Sequence, residues 1–117
     1  MGLFTHDHAP AMSPAEAFEA LAGSAVLVDV REPDEWAAGH APEAVHVPLA
    51  SVAASASGLP TDVPVIVICR SGRRSDAAAI ELRRSGVDAI NLTGGMQAWQ
   101  QAGGSVVRDD GQSGSVI

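Results

Sequence analysis

Pro64-Val65-Ile66-Val67-Ile68-Cys69-Arg70-Ser71-Gly72-Arg73-Arg74-Ser75 is the stretch whose reading decides the fold. Its first five residues form a short apolar run rich in β-branched side chains, the composition of a strand buried on both faces. Directly after it, Asp76-Ala77-Ala78-Ala79-Ile80-Glu81-Leu82-Arg83-Arg84 reads as a helix that stops at Gly86. Cys69 to Ser75 therefore form a strand-to-helix turn, and they hold the only cysteine of the chain. A helix N-terminus leaves backbone N–H groups without intrahelical partners and carries partial positive charge, so a thiol held there is drawn toward thiolate. Arg70, Arg73 and Arg74 push the same way, and Gly72 lets the turn curl so that successive N–H groups point inward as an anion-binding nest. The thiol is expected to ionise below its reference of about 8.5.

Strands alternate with helices on either side of this turn. Ser13-Pro14-Ala15-Glu16 is a capping box with proline at the first helical position, opening a helix through about Ala22 that Gly23 ends. Ala25 to Val30 is the first strong strand and delivers Asp29 and Arg31 near its carboxyl end. A turn or two of helix over Pro33 to Ala38, a strand from Ala44 to Val47 and a weakly specified Ala/Ser-rich helix from Leu49 to about Ser57 follow. Beyond the central turn come a strand, Asp88 to Leu92, and a last helix from about Met96 to Ala102. Such short alternation predicts an α/β domain with a mostly parallel central sheet and helices on both faces, its functional groups gathered beyond the carboxyl ends of the strands. The organisation expected is a flexible N-terminal segment over 1–12, one domain over 13–104 and a C-terminal tail over 105–117 of linker-like composition.

At 117 residues the chain is long enough for one hydrophobic core without disulfides or metals. A single cysteine points to a reducing compartment. Met1 to Met12 has neither a basic nor an apolar signal region, and His6 stands where a myristoylation pattern wants Ser or Thr. With no apolar run long enough for a bilayer, the expected location is cytoplasmic. The formal charge is −7, from 14 acids and seven arginines with no lysine. Three of those arginines lie in the turn, which leaves a body of charge −10 around a basic cup. That distribution disfavours nucleic acid and membrane surfaces and favours a small anion at the turn. His6-Asp7-His8 reads as a solvated tail rather than a metal fragment.

Three blocks, in this order and spacing, resemble the rhodanese domain family of sulfurtransferases. They are Asp29-Val30-Arg31-Glu32-Pro33-Asp34-Glu35-Trp36-Ala37-Ala38-Gly39-His40, the turn Cys69 to Ser75, and Leu92-Thr93-Gly94-Gly95-Met96-Gln97-Ala98-Trp99, and the match extends from about Ser13 to Gly104. The resemblance implies that Cys69 takes a sulfane sulfur from thiosulfate or a persulfide donor, holds it as a persulfide, and passes it to cyanide or a thiol. Backbone N–H groups of Arg70, Ser71, Gly72, Arg73, Arg74 and Ser75 would cradle the charged sulfur, and the three arginines would draw in the anionic donor. It implies no metal and no organic cofactor, and a sulfur-relay protein as a further candidate partner. Cysteine phosphatases on related folds place five residues between Cys and Arg; here that offset holds Ser75 and the arginine comes one place earlier, at Arg74. The shorter loop is similar to that of the sulfurtransferases. A rival reading keeps the fold as a slow or non-catalytic module that binds a partner or senses persulfides, and oxidation sensing by Cys69 would need a partner thiol.

Weaker expectations attach to other residues. Asp29 is a candidate to hold Arg31 or Arg74 in place, with a plain strand-end cap as the alternative. Arg31 steers substrate or pairs with Glu32 or Glu35. His40 and His46 are expected to be structural, and Trp36 and Trp99 to pack against the sheet. Glu43 and His46 stand where the family usually has glycine and asparagine, which touches the connection from Gly39 to Pro48 and not the cysteine chemistry.

Overall fold

A computed structural model describes residues 8–117. Residues 1–7, His6 and Asp7 among them, lie outside the described residues, and with them the positions of the myristoylation pattern and the first part of the stretch read for a signal.

Five strands form one sheet in the order β1-β5-β4-β2-β3, every pairing parallel. They are β1 (Ala11–Met12), β2 (Val26–Asp29), β3 (Val45–His46), β4 (Val65–Ile68) and β5 (Ala89–Leu92). The expected α/β architecture with helices on both faces is the one observed. Along β4 the side chains alternate, as the pleat requires. Val65, Val67 and Cys69 face a core closed by α4 (Arg73–Arg84) and the short α3 (Val52–Ser55). Ile66 and Ile68 face the opposite core, closed by α1 (Pro14–Ala22) and α5 (Gly95–Gln101). Leu27 belongs to that second core, whereas Val28 and Val30 belong to the first. Alternation therefore turns Asp29 to the side of the sheet opposite the cysteine.

The capping box is present as read: Ser13 Oγ accepts from the N–H of Glu16 at 3.1 Å, and Glu16 Oε1 accepts from the N–H of Ser13 at 2.9 Å. Helix α2 (Pro33–Ala38) closes in the same way, its Glu35 carboxylate accepting from the N–H of Glu32 at 3.0 Å. The region expected as one helix from Leu49 is instead a single α turn, α3, between two 3-10 turns, Leu49–Ser51 and Ala56–Gly58. None of the three has a side-chain cap, the serines compete for backbone groups, and Val52 and Ala56 are the only buried residues of the α turn and the 3-10 turn after it.

Three boundaries differ from the reading of the sequence. Ala11–Met12, placed in the flexible segment, is an edge strand, aligned with Asn91 and Leu92 of β5. A two-residue strand has no readable period, and its partner lies 80 residues away. The tail, read as a linker, is laid back on the body: His40 and Val107 bridge in antiparallel fashion, and the N–H of Ser115 donates to the carbonyl of Ala38 at 2.8 Å. Val106 and Val116 pack on the α1/α5 core. Helix α4 begins at Arg73 rather than Asp76, so Arg73, Arg74 and Ser75 are its first turn, with Gly72 at the cap in the left-handed region at φ 111°. Among the described residues, no helix is long and apolar enough to cross a membrane.

Candidate active site

The carboxyl end of β4 delivers Cys69, and the left-handed Gly72 turns the chain at once into α4. Folding back in this way brings the loop over the thiol: the N–H of Gly72 reaches Sγ at 3.1 Å, and Ser75 Oγ lies 3.3 Å from it. Cys69 is 1% exposed, which on its own disfavours charge. Burial pushes the thiol up; the donors available to the ionised sulfur, first the Ser75 hydroxyl and then the amides of Ser75, Gly72 and Ser71, outweigh it and hold the thiol below the ordinary cysteine value. Of the loop's donors, the Gly72 amide and the Ser75 hydroxyl lie within hydrogen-bond distance of the sulfur.

Its floor is built by the next strand and turn. The N–H groups of Met96 and Gln97, at the start of α5, donate to the carbonyls of Cys69 and Arg70 at 2.7 and 3.1 Å. Asn91 on β5 is 9% exposed. It donates from Nδ2 to the carbonyl of Gly72 at 3.0 Å and accepts from the Ser75 hydroxyl at 2.6 Å.

The three loop arginines have different fates. Arg74 is gripped by Glu35 of α2, with Nη1 to Oε1 at 2.7 Å and Nη2 to Oε2 at 2.9 Å. Arg70 is exposed and donates from Nε to the carbonyl of Ile117 at 2.9 Å. Arg73 is exposed and, with Ser71, Gly72, Asn91 and Thr93, lines a cleft of ≈ 490 Å³ beside the loop. Among the described residues neither Arg70 nor Arg73 pairs with an acidic side chain, and Asp76, which also lines the cleft, is paired with His8.

Asp29 holds Arg31, not Arg74. Both are fully buried, with Nη2 to Oδ2 at 2.8 Å and Nη2 also donating to the carbonyl of Gly39 at 2.7 Å. The same pairing answers the alternatives for Arg31: its partner is Asp29 rather than Glu32 or Glu35. Because the pair lies on the α1/α5 side of the sheet, neither residue joins the ring of donors around the sulfur. His40 donates from Nδ1 to the carbonyl of Trp36 at 2.9 Å, and His46 from Nε2 to the carbonyl of Arg31 at 2.7 Å. Trp36 stacks on both histidines, with ring centroids at 3.6 and 4.7 Å, instead of on the sheet, whereas Trp99 is buried in the core as expected. Among the described residues, no group of three His, Cys, Asp or Glu comes together as a metal would require.

Two residues that complete the site were not picked out as site residues in the sequence. Asn91 had a signal: it is the one polar side chain in Ala89-Ile90-Asn91-Leu92. Glu35 sits in an acidic first helical turn, where a cap and an ion-pair partner look alike. Arg74 holds the Glu35 carboxyl down at about 2, against an ordinary 4.5. A lowered folded value adds stability above the unfolded value and loses it as pH falls. The pair's contribution, roughly 1 kcal/mol or less after solvent screening, is therefore expected to be full above pH 4.5 and to fade toward about 2. Urea unfolding from pH 6 to pH 3 should show Glu35→Gln less stable than wild type at the upper end and the two converging at the lower. Parallel pH profiles would overturn this.

The model of the Rhodanese-like domain matches residues 13–102. A rhodanese-related protein of Thermoplasma volcanium superposes with a TM-score of 0.78 at 29% identity, covering 85% of this chain and 98% of its own. A rhodanese homolog of Thermus thermophilus shares 32% identity at a TM-score of 0.65, over 77% of this chain and 100% of its own. A rhodanese-like domain protein of Staphylococcus aureus gives 0.73 at 26% identity, over 92% and 100%.

Proposed function

The chain belongs to the family of rhodanese-like domains, and on that premise we propose that it is a sulfurtransferase in which Cys69 carries sulfur as a persulfide between an anionic donor and a thiophilic acceptor. The observation that carries the reading is the sulfur of Cys69 ringed by the Gly72 amide and the Ser75 hydroxyl at the start of α4. With thiosulfate, the thiolate attacks the outer sulfur; a Cys69 S–S bond forms, the S–S bond of the donor breaks, and its electron pair leaves with sulfite. Cyanide or a thiolate then attacks the terminal sulfur, and the Cys69 thiolate is released with thiocyanate or a new persulfide. Both steps are displacements at sulfur that conserve charge, so the protein's part is to keep sulfur ionised and to receive the anion. Arg70 and Arg73 draw in the donor, and Arg74, neutralised by Glu35, braces the loop. A sulfur-relay protein is a partner of the same chemistry.

Intact mass after brief exposure to thiosulfate tests this, with Cys69→Ser in parallel and cyanide added afterwards. Wild type is expected to gain one sulfur that the variant does not, and cyanide to remove it as thiocyanate. If neither thiosulfate nor a persulfide donor loads Cys69, the proposal falls and the chain is better read as a rhodanese-like binding or persulfide-sensing module.

A further inference from the structure

Ser75 Oγ makes two contacts that call on one proton: Asn91 Oδ1 at 2.6 Å and Cys69 Sγ at 3.3 Å. The orientation of Asn91 is forced, since the carbonyl of Gly72 only accepts and must therefore meet the amide nitrogen, at 3.0 Å. The amide oxygen then faces Ser75. Two oxygens at 2.6 Å need a proton between them, a carboxamide oxygen has none, and so the hydroxyl proton of Ser75 lies toward Asn91. What Ser75 then offers the sulfur is a lone pair. A thiol suits that arrangement, because S–H donates to Oγ. A thiolate does not: it needs the proton of Ser75, and taking it leaves two bare oxygens face to face.

We propose that Asn91 is a positioning residue for the sulfur chemistry: by claiming the single hydroxyl proton of Ser75 it makes that hydroxyl an acceptor toward Cys69 and opposes ionisation of the thiol. When the thiol proton passes to water, the hydroxyl rotates onto the sulfur, and a charge-assisted bond replaces the one to Asn91. Ser75 thereby serves both forms of the sulfur, and Asn91 sets the balance between them. The inference rests on Cys69 being the reactive group of the proposed function, but it concerns the thiol alone.

The test is the pH dependence of iodoacetamide alkylation, unambiguous in a chain with one cysteine, for wild type, Asn91→Leu, Ser75→Ala and the double variant. Arg74 on α4, whose charge couples to Cys69, stays paired with Glu35 of α2 throughout. Asn91→Leu frees the hydroxyl proton for sulfur and is expected to lower the midpoint by about one pH unit, the size of one hydrogen bond to a charged group. Ser75→Ala removes the donor and raises it. The double variant matches Ser75→Ala, because Asn91 acts only through Ser75. If Asn91 merely held the loop through Gly72, its loss would raise the midpoint and would still do so without Ser75; that result, or no change, overturns the proposal. Should Asn91→Leu not fold, Asn91→Ala removes the same carbonyl without asking for volume, and failure of both to fold would mark Asn91 as a folding residue and overturn it too. Loading with thiosulfate, read by mass, separates this outcome from failure of the sulfurtransferase reading.

Discussion

Asp29→Ala is expected to destabilise the fold by about 3–5 kcal/mol, the usual result of removing one partner from a buried ion pair. That is a large share of the roughly 5–15 kcal/mol that holds a typical domain together. Asp29 and Arg31 are both fully shielded from solvent. The carboxylate takes the N–H of Arg31 at 3.0 Å as well as its guanidinium at Nε and Nη2. Alanine would leave that charge in the interior with the carbonyl of Gly39 as its remaining acceptor, while among the described residues Nη1 is already without a partner. Urea unfolding measures the loss. The double variant Asp29→Ala with Arg31→Met should recover part of it, because no stranded charge remains. Since the pair faces away from the sulfur, the alkylation midpoint of Cys69 should stay where it is in whatever fraction folds. A loss below about 1 kcal/mol would contradict the buried-pair account.

Gly95→Ala should strike at the cup directly. The glycine is left-handed, at φ 60°, and an added Cβ would come 2.5 Å from the carbonyl oxygen of Cys69 and 2.6 Å from the carbonyl of Arg70. These are backbone atoms bonded to the first N–H groups of α5, so they cannot swing aside as a side chain would. Relief requires the loop to leave α5, which moves the amides that hold the sulfur. We expect sulfur transfer to fall about 100-fold, as an ångström of misplacement can cost, with a stability loss of about 1–3 kcal/mol from overpacking and strain. Gly103→Ala is the control: it is also left-handed, at φ 94°, but among the described residues nothing lies within 4 Å of the new Cβ. It should share the backbone strain and keep the activity. Equal activities for the two variants would mean that the turn from Gly94 to Gly95 does not set the loop.

Much of this fold was legible because its signals are local. Val65-Ile66-Val67-Ile68 announces a strand buried on both faces, Ser13-Pro14-Ala15-Glu16 announces a helix start, and Gly72 after Cys69 announces a turn that only one residue type adopts without strain. What was not legible depends on partners far along the chain. Ala11–Met12 becomes a strand only because β5 offers it an open edge, and the tail is held by Ala38 and His40, with which it shares no pattern.

The candidate site divides along the same line. By itself the sequence determined the place of the single cysteine between a strand and a helix and the loop that surrounds it, since strand, turn and helix are neighbours in the chain. Only the tertiary structure decided which arginine remains available, which face of the sheet each polar residue occupies, and which groups hold the loop. Arg74 meets Glu35 across 39 residues and Ser75 meets Asn91 across 16. The pleat of β2 turns Asp29 away from a cysteine that the register places almost beside it, Asp29 lying opposite Ile68. Contacts of this kind follow from the packing of elements against one another, and a hydrogen bond or ion pair between distant residues leaves no periodicity in the chain to read.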